Sequence, residues 1–463
     1  MLNFPRATTR THLLSAIKIA LLLVFAWSVA FAQIPPQSAI ASNAQTDALG
    51  KKYADAMALF QGGNREEAIN QLRELIQTVH PDPDAPVDGI YEPLFYALAA
   101  ACFDAQDYAK ALAAFTDFSQ KFPNSARKAD ASLAMALCYA LMGANVAQGD
   151  PVNAGKFIAD TIKKYINDPS REAVDQILTQ LATLCANKTV PDNMGAAPGQ
   201  EVNPGAELDD LLGSANADQS PTAKARILFV KAELARLLRQ PLEREKDLRA
   251  IGDNFKPGDL SYLILGQVGD YLFSKGDMDK ASQFYEQLKN EFPKSDYIDF
   301  AYAGLGEIAF EKKDYKTALV YFGDGTDKIA ANVKQKEVTV GKAKTLLELN
   351  QLDEARKLFE QAAAVREWHG EATAISLYSL GQIEMKESKW PDAIAYFQRV
   401  FVGYQKFLPW VAKSYLMSGE CFQKLGKTQE AVNTYKEMLR NSKLQQLPEA
   451  ETARQRLKQL GEE

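Results

Sequence analysis

One phrase occurs twice in this chain, once in each half. YAKALAAFTDFSQKFPNS runs from 108 to 125 and MDKASQFYEQLKNEFPKS from 278 to 295, and both contain a lysine, an alanine, an aromatic residue and a closing Phe-Pro-x-Ser. The alanine and the large apolar residue four places after it recur at Ala68/Leu72, Ala111/Phe115, Ala281/Tyr285, Ala318/Phe322, Ala355/Phe359, Ala393/Phe397 and Ala431/Tyr435. In the second half these alanines recur at a nearly constant spacing of about 37 residues, which is typical of stacked supersecondary units.

Each repeat contains two segments of helical length separated by a polar turn. In the turns SKGDMDK (274–280), EKKDYK (311–316), LNQLDE (349–354) and KLGKTQE (424–430), we expect Gly, Asn or Asp to end one helix and cap the next. A small residue precedes the repeat alanine by twelve positions, at Gly269, Gly306, Ala343, Gly381 and Gly419. Small residues at both places let two antiparallel helices approach closely, and the aromatic residue fills the groove beside them.

One such hairpin cannot bury its own apolar face, whereas stacked hairpins can. The sequence therefore predicts an all-α protein, an α-solenoid of helix-turn-helix repeats with a period of about 37 residues. The Phe-Pro pairs at 122–123 and 292–293 are expected to end the second helix, and Ser125 and Ser295 to cap the helix that follows.

These residues make the chain resemble the tetratricopeptide repeat family. The stretches from Leu305-Gly306 to Phe322 and from Leu380-Gly381 to Phe397 carry the Leu-Gly, alanine and aromatic signature of that family, and the resemblance covers about residues 51 to 145 and 260 to 441. The period is longer than the family's repeat of about 34 residues, and most repeats lack the closing proline. Both features resemble bacterial envelope members such as the periplasmic partner of the Tol-Pal system and the outer-membrane assembly lipoproteins. The resemblance implies a protein that binds other proteins and performs no catalysis.

The N-terminal segment 1–32 predicts a secretory signal. Arg6, Arg10 and Lys18 precede the apolar run IALLLVFAWSVAFA (19–32), which ends in small residues, so we expect cleavage before Gln33. The run is shorter than the roughly 20 residues of a membrane-spanning helix, which leaves a retained anchor as the alternative. The residue directly after the cleavage site is Gln33 and not a cysteine, which disfavours a lipid anchor. Together with the resemblance, this predicts an exported protein that is periplasmic or associated with the outer membrane, and that meets membranes only through its partners.

A segment rich in Pro, Gly, Asn and Asp divides the remaining chain. The predicted organisation is a flexible N-terminus (33–50), a first helical array (51–187), a linker or surface loop (188–222), a second array (223–441) and a C-terminal capping helix (442–463). In the capping helix Ala453, Leu457 and Leu460 lie on one face, as expected of an element that covers the open end of an array.

Charge and cysteine content narrow the possible partners. The chain has 53 basic and 59 acidic side chains, and loss of the signal removes three basic ones, which leaves a net charge of about -9. An acidic chain without a basic run is not expected to bind nucleic acid.

No CxxC pair occurs among the four cysteines, which are Cys102, Cys138, Cys185 and Cys421. This disfavours a zinc site or a redox dithiol. Cys102 and Cys138 are separated by close to one repeat, so they are either buried free thiols or a disulfide between neighbouring helices.

No catalytic motif is present, and we predict no cofactor, no metal and no enzymatic activity. Only His80 and His369 follow the signal, and a metal site or a Ser/His/Asp triad would have to be built from these two. Asp82, Asp84 and Asp88 could attract calcium, but their loop lacks the glycine and the final glutamate of an EF-hand. An extended connection between helices is the simpler interpretation of that loop.

The predicted site is a surface. In the superhelix of the family, the first helix of each hairpin lines a concave groove that binds peptides. The resemblance places nine residues in this groove: Asp270, Phe273, Glu307, Phe310, Lys344, Tyr378, Gln382, Met385 and Glu420. Acidic residues replace the lysine and asparagine with which some members bind a terminal carboxylate, so the groove would favour an apolar segment with basic residues. Packing of the aromatic residues against neighbouring helices is the alternative interpretation.

The expected function is therefore an exported scaffold or adaptor that presents a rigid groove to other proteins of the bacterial envelope. The alternative is a helical-repeat protein that binds glycans at the outer membrane. That alternative requires tryptophans grouped on one surface, and Trp368, Trp390 and Trp410 are the candidates because they fall in successive inter-helix regions.

Overall fold

The computed structural model describes residues 44–78, 91–142, 151–168, 172–186, 220–293, 295, 297–327 and 333–462. Within these residues the regular structure consists of α-helices and three short 3-10 turns, without a β-strand. The predicted signal, the aspartate-rich loop at 80–88 and residues 188–219 of the predicted linker lie outside the described residues. The division into arrays at that linker stays a prediction.

The chain divides into two compact units, Met1–Leu272 and Phe273–Glu463. The helices of the first unit are α1 (Ala44–Gln61), α2 (Arg65–Thr78), α3 (Tyr91–Asp104), α4 (Tyr108–Lys121), α5 (Lys128–Met142), α6 (Pro151–Tyr165), α7 (Glu172–Ala186), α8 (Pro221–Leu237), α9 (Pro241–Asn254) and α10 (Tyr262–Ser274), whose last turn crosses the boundary. Those of the second are α11 (Met278–Glu291), α12 (Ile298–Glu311), α13 (Tyr315–Asp327), α14 (Gln335–Glu348), α15 (Leu352–Ala364), α16 (Glu371–Lys386), α17 (Trp390–Gly403), α18 (Leu408–Lys424), α19 (Thr428–Arg440) and α20 (Pro448–Gln459).

The second unit is a regular stack of helical hairpins. Each helix from α11 to α20 contacts the next, and the first helices of successive hairpins, α12, α14, α16 and α18, also contact one another in that order. The seven predicted pairs of an alanine and a large apolar residue occur in both units. All fourteen residues are buried, with at most 1% of their surface exposed. The predicted α-solenoid of stacked repeats is confirmed.

Glycines allow the two helices of a hairpin to approach closely, as predicted. A Cβ atom added at Gly306 would lie 2.6 Å from the Phe322 ring, and one added at Gly381 would lie 2.5 Å from the Phe397 ring. Real Cβ atoms do not come this close to ring carbons, so each aromatic residue occupies the space that the missing side chain leaves.

The turns between the helices of a hairpin share one left-handed residue. Glycine supplies it in three turns, at Gly63, Gly276 and Gly426. The other turns use residues that favour this conformation less, at Gln106, Arg239, Lys313, Asn350 and Ser388. Of the four turns for which Gly, Asn or Asp was predicted to end the helix, the prediction holds at Gly276, Asn350 and Gly426 and is wrong at 311–316, where Lys313 takes this conformation. After Lys313 the N–H of Asp314 reaches back to the carbonyl of Ala309 at 2.9 Å, which closes the helix end.

Capping at the next helix follows the prediction in part. The carboxylate of Asp314 accepts the N–H of Thr317 at 3.2 Å, and Asp107 and Asp277 act in the same way. Ser125 Oγ accepts the N–H of Arg127 at 2.9 Å. The cap predicted at Ser295 is not found, because its hydroxyl is buried without a hydrogen-bond partner among the described residues.

A buried ion pair joins three helices of the first unit. Arg226 of α8 is fully buried, and its Nε donates to Asp175 Oδ1 of α7 at 2.9 Å. Its Nη1 donates to the carbonyls of Ile166 and Asp168, at 2.9 and 2.8 Å, just after α6 ends. Repeat patterns gave no signal for this pair, because its members lie 51 residues apart on either side of the predicted linker.

All four cysteines are buried free thiols. Cys102, Cys138 and Cys185 belong to one core cluster of the first unit. Burial raises the pKa of the Cys138 thiol, and it raises that of Cys421 to about 12. The structure thus favours free thiols over the disulfide between Cys102 and Cys138, and thiols with raised pKa are poor nucleophiles at neutral pH.

Candidate peptide-binding groove

The predicted groove residues lie on the first helices of the hairpins. Asp270 belongs to α10 in the first unit, and Phe273 is the first residue of the second unit. The other seven, which we call the second-unit groove, are Glu307 and Phe310 on α12, Lys344 on α14, Tyr378, Gln382 and Met385 on α16, and Glu420 on α18. All nine predicted residues are half-buried, so each packs against a neighbour and still presents part of its surface.

At the N-terminal end of the second-unit groove, a cation lies between an acid and a ring. Lys344 Nζ is 3.3 Å from Glu307 Oε2 and 4.4 Å from the centroid of the Phe310 ring. The Phe310 ring also lies 5.4 Å from that of Tyr315. The charges of Lys344 and Glu307 offset each other. The surface at this end of the groove is therefore formed by this ion pair and by the aromatic ring of Phe310.

The middle of the groove is formed by α16. The Tyr378 ring lies 5.6 Å from the Phe397 ring of α17 and 5.6 Å from the Trp410 ring of α18. Met385 packs against a cluster that includes Phe397 and Cys421. The alternative interpretation was that the aromatic residues pack against neighbouring helices. It holds in part, because one side of these side chains packs in this way while the rest stays accessible.

Two carboxylates lie near Tyr378 at the C-terminal end of the groove. The pKa of Tyr378 is raised to about 12, first by burial and then by the nearby carboxylates of Glu449 and Glu420. Glu449 lies in the first turn of α20 and was not among the predicted groove residues. Sequence reasoning missed it because it belongs to the capping helix, where the repeat signature no longer applies. The only signal was an acidic residue directly after the proline that begins the helix.

The three tryptophans pack into the protein rather than standing exposed. Trp368, Trp390 and Trp410 are all half-buried, and they pack against three different side-chain clusters. Trp410 Nε1 donates to Glu371 Oε1 at 3.2 Å. None of the three is fully exposed, as the tryptophans of a glycan site would be.

Of the two histidine candidates, the structure describes one. His369 is exposed in the turn after Trp368, and His80 lies outside the described residues together with Asp82, Asp84 and Asp88. Within the part of the chain that the structure describes, no group of three or more His, Cys, Asp or Glu side chains is placed to hold a metal ion. Nor does any helix of that part combine the length and the hydrophobicity needed to cross a membrane.

Four segments match family models. Residues 340–401 match one model described as a tetratricopeptide repeat, and residues 96–125, 267–295 and 413–442 match a second model of the same description. Segments in both halves of the chain therefore match the tetratricopeptide repeat. Proteins with these repeats generally bind other proteins.

No curated protein sequence matches the chain. Among solved structures it is similar to the human IFIT1 dimer with PPP-AAAA, at 12% identity over 91% of this chain and 94% of that chain, with a TM-score of 0.38. It is also similar to yeast Tom70 (12% identity, 90% and 96% covered, TM-score 0.33) and to Cut9 with Hcn1 of the APC/C (14% identity, 87% and 88% covered, TM-score 0.34). Scores this low carry no conclusion about the function of this chain.

Proposed function

We propose that this chain, in which four segments match the tetratricopeptide repeat, is an exported scaffold or adaptor that binds other proteins of the bacterial cell envelope. Binding takes place in the second-unit groove and involves no covalent chemistry. The envelope assignment is supported by the secretory signal predicted at 1–32 and by the long repeat period, which resembles that of bacterial envelope proteins.

The observation that carries the proposal is the row of half-buried side chains along consecutive first helices. The helices α12, α14, α16 and α18 contact one another directly, so the positions of these side chains are set by helix packing. A groove that is already ordered loses little conformational entropy when a peptide binds. Aromatic side chains such as Phe310 and Tyr378 supply the large contact areas that dominate binding at protein interfaces.

Site-specific crosslinking tests where partners bind. A photo-reactive phenylalanine analogue is placed at Phe310 or Tyr378 in the groove, and at Val320 or Val402 as matched controls. The control valines are 62% and 69% exposed on the second helices α13 and α17. After illumination of intact cells, we expect a discrete crosslinked partner at the groove positions and none at the control positions. Crosslinks of equal strength at all four positions, or none in the groove, would contradict binding in the groove.

Export is tested separately. N-terminal sequencing of the purified protein should begin at Gln33, and fractionation should place the protein in the periplasmic or outer-membrane fraction. An unprocessed N-terminus in the cytoplasmic fraction would overturn the envelope assignment. It would leave binding in the groove untouched.

A further inference from the structure

Hydrogen bonds join successive first helices of the second unit at their N-terminal ends. Asp299, in the first turn of α12, accepts the N–H of Lys334, the residue before α14, at 2.6 Å. Glu371, the first residue of α16, accepts the Nε1–H of Trp410, in the first turn of α18, at 3.2 Å. In each case a carboxylate at the start of one first helix holds the start of the next.

The first unit repeats this arrangement with other residue types. Ser125, just before α5, donates its hydroxyl to Glu92 Oε1 in the first turn of α3 at 2.6 Å. Thr222, in the first turn of α8, donates its hydroxyl to the carbonyl of Asp259, just before α10, at 2.8 Å. The repeat geometry therefore brings these two positions together, and the side chains at each step determine whether they form a bond.

The two bonds of the second unit differ in their surroundings. Asp299 is fully buried, and Nζ of its partner Lys334 lies 4.4 Å from the centroid of the Phe300 ring. A charged acceptor that is shielded from water makes a strong hydrogen bond. The bond of Glu371 is more exposed, but it orients Trp410, whose ring lies 5.6 Å from the ring of the groove residue Tyr378.

The step from α14 to α16 provides an internal comparison. Glu337 is the acid in the first turn of α14, and its Oε1 pairs with the neighbouring Lys336 at 3.4 Å. Its Oε2 is buried without a hydrogen-bond partner among the described residues. The second unit therefore has two steps at which the first-turn acid holds the next first helix, and one at which it does not.

The groove depends on contacts across the two bonded steps. Glu307 and Phe310 of α12 meet Lys344 of α14, whose Nζ lies 3.3 Å from Glu307 Oε2. Tyr378 of α16 meets Trp410 of α18. Packed helices shift by about 1 to 2 Å when an interface rearranges, which is enough to break a contact of this length. A restraint at the start of a stiff helix also limits its movement at the groove residues farther along.

We propose that Asp299 and Glu371 are positioning residues of the second-unit groove, because they fix the separation of α12 from α14 and of α16 from α18, on which the binding of a partner depends. Both act through the helices and lie outside the nine predicted groove residues. The inference rests on the proposed function, since it names residues that control the affinity of the same groove.

Substitutions can separate the hydrogen bond from the charge. Asp299→Ala and Glu371→Met remove the acceptor, whereas Asp299→Asn and Glu371→Gln keep an oxygen that can accept the same bond. Glu437→Met is the matched control, because Glu437 Oε1 accepts the Tyr415 hydroxyl at 3.1 Å within the single hairpin of α18 and α19. Circular dichroism melts give the temperature below which every variant is folded, and all other measurements are made there.

Dipolar electron paramagnetic resonance measures the helix separations without any ligand. Spin labels are attached in pairs to the exposed last residues of the four first helices, after the changes Glu311→Cys, Glu348→Cys, Lys386→Cys and Lys424→Cys. The four native cysteines are buried. In Asp299→Ala the distance between 311 and 348 should change by about 1 to 2 Å or become more broadly distributed, and in Glu371→Met the same is expected between 386 and 424.

The distance between 348 and 386 should stay unchanged in both variants, because it spans the step at which the first-turn acid makes no such bond. Asp299→Asn, Glu371→Gln and Glu437→Met should give the wild-type distances throughout. A change at all three steps would show general loosening of the stack and would overturn the assignment of these residues to their own steps.

Peptide affinity tests the link to binding. The probe is a peptide selected from a randomised 12-residue library on the whole wild-type chain without labels. We expect Asp299→Ala and Glu371→Met to bind it about five- to tenfold more weakly. Asp299→Asn, Glu371→Gln and the control Glu437→Met should bind it as the wild type does.

The outcomes distinguish this inference from the proposed function. Lower melting temperatures with unchanged distances and affinity would show that the two bonds only stabilise the fold, and would overturn the positioning role. Changed distances with unchanged affinity would also overturn it, and binding in the groove would stand. Equal losses of affinity in the Asn and Gln variants would assign the effect to charge and not to the hydrogen bond. If the folded wild type selects no peptide, binding in the groove fails, and the positioning role fails with it.

Discussion

Arg226 links α6, α7 and α8 in the middle of the first unit. Replacing it by alanine leaves the Asp175 carboxylate, which is only 1% exposed, buried without its cation, and frees the carbonyls that follow α6. Loss of one member of a buried pair typically costs about 3 to 5 kcal/mol, and we expect Arg226→Ala to lower the free energy of unfolding by that amount. Urea denaturation followed by circular dichroism measures it.

A matched surface change shows whether burial is the cause. Arg249 of α9 is exposed and pairs with Glu245 at 3.4 Å, so Arg249→Ala should cost far less stability than Arg226→Ala. In the double variant Arg226→Met/Asp175→Leu no unpaired charge remains, and it should be more stable than Arg226→Ala alone. Equal losses for Arg226→Ala and Arg249→Ala would show that the buried pair is not important for stability.

Substitutions at two left-handed turn residues should change the stability of the protein in opposite directions. Ser388 has a φ of 61°, a conformation that costs a residue with a Cβ about 1 to 2 kcal/mol, whereas glycine adopts it freely. Glycine also has the more flexible unfolded state, so Ser388→Gly should stabilise the protein by up to about 1 kcal/mol. At Gly276, where φ is 82°, the change to alanine should destabilise it. The midpoint of thermal unfolding should therefore rise for the first variant and fall for the second.

At the scale of the helical hairpin, the close contact of glycine with an aromatic ring determines how the helices pack. In Gly381→Ala the new methyl group would lie 2.5 Å from the Phe397 ring, and neither helix can move without disturbing the next hairpin. Overpacking of this kind typically costs about 1 to 3 kcal/mol, and we expect that loss in urea denaturation. Gly323 lies inside α13 with nothing within 4 Å of its added Cβ, so Gly323→Ala should be neutral or stabilising by about 1 kcal/mol. Destabilisation by both variants to the same extent would refute the packing explanation.

The hairpins were predictable because their determinants are local. Gly381, Ala393 and Phe397 are close in sequence, and helical periodicity brings them into contact without any knowledge of the rest of the chain. The turn at Ser388 was not predictable from residue preference, because packing of the helices on either side and the hydrogen bonds of the helix end impose the left-handed conformation there.

Contacts between distant segments account for what the sequence did not reveal. Arg226 meets Asp175 only after α7 and α8 have packed together, and nothing in either local sequence indicates the other. The groove residues could be placed because a repeat fixes their position on each first helix. Glu449 could not be placed, because it reaches the groove from the capping helix, whose position follows from the end of the array and not from its period.

For the whole molecule, buried tyrosines predict loss of stability at high pH. Burial raises the pKa of Tyr415 and Tyr435 to about 12, whereas a tyrosine of the unfolded chain has a pKa of about 10. The neutral form is favoured in the folded state, so this contribution to stability is complete below pH 10 and is lost as the pH rises from 10 to 12. The absorbance of ionised tyrosine and the far-ultraviolet circular dichroism should change together in that range.

Substitution at Tyr435 isolates one of these groups from the lysines that titrate in the same range. The Tyr435 hydroxyl has no hydrogen-bond partner among the described residues, so Tyr435→Phe should cost little stability at pH 7. Because phenylalanine does not ionise, the variant should lose less stability than the wild type between pH 10 and 12. Identical losses would show that Tyr435 ionises equally in the folded and unfolded states.

Because each repeat of a solenoid contacts mainly its neighbours, damage to one repeat should remain local. In the second unit α16 contacts α14, α15, α17 and α18, so Gly381→Ala is expected to weaken these helices first. Native-state amide hydrogen exchange should then show faster exchange from α14 to α18 and unchanged exchange in α1 to α5 of the first unit. Arg226→Ala should give the reverse pattern, with faster exchange in α6 to α8 and unchanged exchange in α16 to α18. Uniformly faster exchange along the chain in either variant would show that the protein unfolds as one cooperative unit. A destabilising change in any repeat would then also destabilise the helices of the second-unit groove.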